Sequence, residues 1–322
     1  MRSFPGASLV VAAALALATL SSVGCGKFSQ LKGAKSIKAA HAAYQQQDYK
    51  KAAELYEETL QADPNNFPEA YFFLGNCYDN LWKPSKKGEA DNDALLDKAV
   101  QNYELAASKL MATNDQKKKD LGKLSLQYLV SAYAADKLND PAKAEPVVQR
   151  MIQLEPSDPA NYFVLAKIYT DAGVYDEAEK VYLMAKQARP NDPTVYKQLA
   201  AYYNSQGRFD KTIDALEQGA AKDPNNPEAY HTIASYYWDE TTRDTHLREA
   251  EKKDYVLKGI AAADRALQIK PDYVEALVFK GLLLRLEANL EKDVKKQQEL
   301  LKEANSLRDK AEELRKKKVA GV

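Results

Sequence analysis

The chain has 322 residues, and Lys plus Arg equal Asp plus Glu at 46 each, so its formal net charge is zero. That balance lacks the basic excess of a nucleic-acid binder, and a mean hydropathy of −0.55 argues against a polytopic membrane protein. Its two cysteines, Cys25 and Cys77, cannot build a disulfide framework or a metal cluster.

The first residues differ from the rest. Arg2 supplies a positive charge, and Ala7 to Leu20 is an apolar run of about 14 residues, short of the roughly 20 that a spanning helix needs. The small residues Ser21, Ser22, Val23 and Gly24 follow, which predicts a secretory signal peptide over 1–24. Val23-Gly24-Cys25 resembles a bacterial lipoprotein signal, in which the Cys is acylated, palmitate included, and becomes the mature N-terminus. Ser22 stands where that family most often has Leu. The resemblance implies lipidation at Cys25, a lipidated tether over 25–32 and a place in the bacterial cell envelope. Secretion with Cys25 unmodified or cleaved off, and an uncleaved anchor, stay open. Gly26 replaces the Asp that holds enterobacterial lipoproteins at the inner membrane, so the resemblance points to the outer membrane, facing the periplasm. Lys27, Lys32, Lys35 and Lys38 suit either an anionic bilayer surface, at about 1 kcal/mol each, or a solvated tether.

Beyond the tether the chain repeats. A first unit over 33–66 carries Ala40, Ala52, Tyr56 and Pro64. A second over 68–112 carries Tyr71, Leu74, Gly75 and Tyr78, then Ala99, Tyr103 and Ala106, with Trp82 to Asp97 reading as an insertion. Cys77 falls on the packing side of its helix and reads as a buried, inert thiol. A third, irregular unit over 123–157 includes Tyr128, Tyr133, Ala144 and Val148, with Pro146 early enough in its helix to be tolerated.

The fourth and fifth units, 159–192 and 193–226, are regular. Tyr162, Tyr196 and Tyr230 are 34 residues apart, as are Leu165, Leu199 and Ile233, then Ala166, Ala200 and Ala234, then Tyr169, Tyr203 and Tyr237. Within a unit these positions are three and four apart, which places them on one helical face. Asp158-Pro159, Asp192-Pro193 and Asn226-Pro227 put a capping side chain directly before a proline suited to the first helical turn. Gly173 and Gly207 end the first helix of each unit. The sixth unit, 227–272, is interrupted at about Asp239 to Asp254. The seventh, 274–318, has Leu277, Gly281 and Leu284 in register, and Leu286 to Lys318 lacks Pro and Gly. It suits a capping unit or a coiled-coil partner surface.

These residues and their 34-residue period resemble the tetratricopeptide repeat, two helices per unit. The resemblance implies an all-α, right-handed superhelical solenoid of about seven helix hairpins over 33–322, overriding the two domains that length alone suggests. It also implies an inner groove lined by first-helix positions off the packing face. Carried over by register, these are Phe72, Asn76, Asp79 and Asn80, then Phe163, Lys167, Thr170 and Asp171. Lys197, Ala201, Asn204 and Ser205 follow, then His231, Ser235, Trp238 and Asp239. Trp238 is the expected anchor, as an exposed tryptophan.

Chemistry-bearing constellations are missing from the sequence. His41, His231 and His246 have no second ligand at metal spacing, and no HExxH helix, nucleophile elbow or phosphate loop occurs. The expectation is therefore no enzyme, no metal, no cofactor and no nucleic acid. One or more proteins are the expected partners, with the membrane reached through the lipid. A scaffold holding peptides or helices in its groove is the leading reading. The rival is a structural assembly factor of an envelope machine (pilus, secretion or outer-membrane biogenesis) that docks through its C-terminal helices and the edge along which the insertions between paired helices line up.

Overall fold

The computed structural model describes residues 28–319, so the signal peptide, Cys25 and Lys27 lie outside the described residues. Every regular element among them is helical. Helix α1 covers 28–45. There follow α2 (Tyr49–Ala62), α3 (Pro68–Leu81), α4 (Ala90–Met111), α5 (Gln116–Ala132) and α6 (Pro141–Leu154). Then come α7 (Pro159–Asp171), α8 (Tyr175–Ala188), α9 (Pro193–Ser205) and α10 (Phe209–Lys222). The chain ends with α11 (Pro227–Arg243), α12 (Glu249–Ile269), α13 (Val274–Leu290) and α14 (Val294–Val319). The fold is all-α and built of consecutive helix hairpins, α1/α2 through α13/α14. Two compact units are divided between Glu155 and Pro156. None of the described helices is long and apolar enough to cross a membrane.

Each boundary has a local cause. Asp158, Asp192 and Asn226 accept from the backbone N–H two residues on, at 3.0, 2.9 and 3.0 Å, across the proline between them. Capping of this kind is worth about 1 kcal/mol. Gly173 and Gly207 adopt φ of 75° and 66°, the left-handed conformation that lets the chain reverse after a helix. In the N-terminal unit Gln47 and Asn139 do the same at φ of 60° and 53°, which glycine-based reading does not anticipate.

Small residues set the helix separation. Ala166, Ala200 and Ala234 are fully buried, and a Cβ on Gly75 would stand 2.9 Å from Tyr103 Cδ1. Large rings fill what remains, Tyr56 and Tyr103 both being 0% exposed. Much of the expected insertion at Trp82 to Asp97 is helix: a short 3-10 turn at Pro84–Lys86 leads into α4 at Ala90. Asn92 ties the turn down, accepting from Lys83 N at 2.9 Å and donating to Lys83 O at 3.1 Å. The interruption at 239–254 likewise lengthens α11 and α12, leaving only 244–248 between them. The Pro- and Gly-free stretch after Leu286 breaks at Glu291, whose carboxylate accepts from Lys292 N and Asp293 N and stops α13.

Candidate functional site

In the C-terminal unit, α7 and α9 present the side chains that lie off their packing faces to a cleft of about 400 Å³. Phe163, Lys167, Thr170 and Asp171 come from α7, and Ala201 and Ser205 from α9. Tyr182 of α8 and Tyr202 of α9 form its aromatic floor, with ring centroids 4.9 Å apart and Phe163 6.1 Å from Tyr182. Tyr202 is pinned by its hydroxyl, which donates to the Tyr175 carbonyl at 2.7 Å. Lys167 and Asp171 pair across one helical turn at 2.8 Å, both largely exposed. Such a pair contributes a few tenths of a kcal/mol and opens readily for another charged group. Thr170 and Ser205 have their hydroxyls turned back to backbone carbonyls at 2.8 and 2.7 Å. The floor of the cleft is therefore apolar and rigid, and its rim is charged.

Other positions with the same register behave differently. Lys197 is exposed and pairs with Glu228 at 2.7 Å, which holds the Glu228 carboxyl below its ordinary range. Asn204 is half-buried. Phe72 is only 5% exposed. The edges of Phe73 and Tyr128 close over it at 5.2 and 5.5 Å, so it is core, not groove lining. Asn76 is also 5% exposed, and its Oδ1 accepts from Tyr44 and Asn80 at the edge of a different hollow. Ser235 is half-buried and donates to Thr232 O at 2.7 Å.

Two expectations for α11 need correcting. Trp238 is half-buried: it packs against Ala234, Ala263 and Leu283 and meets Phe279 edge-on at 5.7 Å. Helix α13 covers the indole, so it is not a free anchor. His231 sits edge-on to Tyr273 and Phe279 at 5.6 and 5.2 Å, with both ring nitrogens buried and unbonded. Burial holds its imidazole below the ordinary value of 6.5. Cys77 is buried, and desolvation pushes its thiol up to about 12.

A second concavity lies in the N-terminal unit. Tyr44 of α1, Tyr49 of α2, Asn76, Asp79 and Asn80 of α3, Tyr128 of α5 and Lys137 of the following turn line an open hollow of about 410 Å³. Asp79 and Lys137 form an ion pair of 2.5 Å with side chains 10% and 18% exposed. This lining is polar where the α7/α9 cleft is aromatic. Register picks out Asn76, Asp79 and Asn80 but not Tyr44, Tyr49, Tyr128 and Lys137, because these come from the two neighbouring hairpins and a turn.

Models of the tetratricopeptide repeat match residues 37–107, 137–202 and 193–235. No curated protein sequence matches the chain. Among solved structures, the C-terminal part of a TPR repeat-containing protein from Cytophaga hutchinsonii is 18% identical, with a TM-score of 0.51, over 86% of this chain and 98% of its own. That likeness is one of fold. A crystal structure of MamA is 20% identical over 56% of this chain and 92% of its own, with a TM-score of 0.39. YrrB, described as a TPR protein with an unusual peptide-binding site, is 18% identical over 61% and 89%, with a TM-score of 0.38.

Proposed function

We propose that this chain, which carries tetratricopeptide repeats over 37–107 and 137–235, is a non-enzymatic scaffold of the bacterial cell envelope. A lipid on Cys25 holds it to the membrane, and it captures a segment of a partner protein in the α7/α9 cleft. The observation that carries the reading is the aromatic floor of Phe163, Tyr182 and Tyr202 beneath the exposed Lys167–Asp171 pair. An apolar side chain of an extended or helical segment fits the floor, while the rim exchanges its ion pair for contacts to the segment. Helices packed on both sides hold the floor in place, so little ordering entropy is lost on binding.

Replacing exposed Ala201 by Arg together with Phe163→Ala fills the cleft and removes its ring without touching the packing face. Affinity capture with the double variant should recover less partner than the parent chain, at an unchanged melting temperature. Recovery of the same partners in the same amounts would remove the cleft from the proposal. Mass spectrometry of the mature N-terminus tests the anchor: a diacylated or triacylated Cys25 supports it, and an unmodified residue refutes it.

A further inference from the structure

The polar concavity of the N-terminal unit offers a chemistry that a protein-capturing groove does not require. Its charges cancel, because Asp79 and Lys137 neutralise each other at 2.5 Å. Neither an anion nor a cation finds an uncompensated counter-charge there, and removing either partner of that pair would strand the other. Hydrogen-bonding capacity remains on neutral groups. Tyr44 donates to Asn76 Oδ1 at 2.6 Å, and Asn80 Nδ2 donates to Asn76 O and Oδ1 at 2.8 and 2.9 Å. Those bonds fix the two amides in place. Tyr49 and Tyr128 line the same space beside these amides.

Behind the lining, the Tyr103 side chain is 0% exposed and its hydroxyl lies against the Asn76 side chain. That hydroxyl lies among Asn76, Asp79, Tyr128 and Tyr44, all of which line the concavity. Three tyrosine rings stand around the space, and Tyr44 and Tyr49 meet edge-on at 5.7 Å. Aromatic faces beside neutral donors and acceptors suit a ligand with an apolar C–H face and a rim of hydroxyls. The volume of about 410 Å³ falls within the range of small-ligand sites, about 300–1,000 Å³.

We infer that the open concavity lined by Tyr44, Tyr49, Asn76, Asp79, Asn80, Tyr128 and Lys137 binds a neutral saccharide of one or two rings. Vicinal hydroxyls engage Asn80, Asp79 and Tyr128, and a sugar face rests on the tyrosine rings. The site belongs to the N-terminal unit alone and does not depend on the α7/α9 cleft.

The test titrates the full chain with N-acetylglucosamine, glucose and maltose, read by saturation-transfer NMR and calorimetry, with inorganic phosphate as the charged comparison. Saturable binding of at least one sugar at about 1 mM or tighter is expected. It should weaken about tenfold in Tyr128→Phe, which keeps the ring, and in Asn80→Ala, with far-UV circular dichroism and melting unchanged. Ala201→Arg, which blocks the other cleft, should leave it intact, so the two sites fail or stand separately. The assignment is overturned if no sugar saturates, if phosphate binds in place of the sugars, or if neither substitution weakens binding.

Discussion

The Tyr196 hydroxyl donates to the carbonyl oxygen of Pro190 at 2.7 Å. One period earlier, Tyr162 bonds Pro156 in the same way at 2.9 Å. Each bond ties the first helix of a hairpin to the turn that precedes it, so the spacing in the sequence is also a spacing of turn clamps. Both tyrosines are nearly buried, at 3% and 6% exposure. Tyr196→Phe keeps the ring and removes the bond. It should cost about 1 kcal/mol, measured as a lower urea midpoint at unchanged slope.

Glu179 gathers three donors, from α9, from α10 and from the turn between them. Tyr203 donates at 3.0 Å, Lys211 at 2.9 Å, and Arg208 through two nitrogens at 2.5 and 3.3 Å. Arg208 and Lys211 also lie over the Tyr203 ring, 4.9 and 5.3 Å from its centroid. Burial first, then this carboxylate, pushes the Tyr203 hydroxyl up to about 12. Glu179→Ala leaves that hydroxyl and two cations without their acceptor. A loss of ~1–3 kcal/mol is expected. Arg208→Ala should cost less, since Lys211 and Tyr203 still hold the carboxylate.

Much of the C-terminal unit is legible because each position recurs against the same neighbours. Asp192 before Pro193 means a cap wherever it occurs, and Ala200 at the helix contact means close approach. Register fails where a neighbour changes. Phe72 and Phe163 hold equivalent places, yet the Tyr128 edge closes over Phe72, while small Ala201 stands beside Phe163 in an open cleft. Trp238 reads as exposed until Phe279, some forty residues on, is found against it. The polar cavity was half legible for the same reason: Asn76 and Asp79 follow from register, but Lys137 arrives from a turn whose left-handed Asn139 carries no glycine signal.

Stability should fall in acid through its buried imidazoles. His231 and His41 are both held below 6.5, by burial first; Glu275 and Glu228 around His231, and Glu69 near His41, oppose the shift only in part. Below the unfolded value the unfolded chain binds more protons than the folded one, so stability rises with pH there. The contribution is complete above about pH 6.5 and is lost as pH falls below it. Melting curves between about pH 5 and 7.5 should show this limb. His231→Phe, which suits the ring contacts with Tyr273 and Phe279, should flatten it. An unchanged acid limb in that variant would mean that His231 is not the titrating group.

Cys77 provides the remaining test, because its reactivity reports whether α3 opens locally. The attacking species is the thiolate, and burial pushes this thiol up to about 12, so little thiolate exists near neutrality. The side chain is also fully buried, leaving a disulfide reagent no approach. In the Cys25→Ser chain, a thiol reagent at about pH 8 should therefore find no reactive sulfur in the folded protein and one equivalent in denaturant. Slow labelling whose rate follows denaturant concentration with the global unfolding slope would show that α3 opens only when the whole N-terminal unit does. Prompt labelling in water would instead place α3 among the locally opening segments and undo its role as the rigid wall of the cavity.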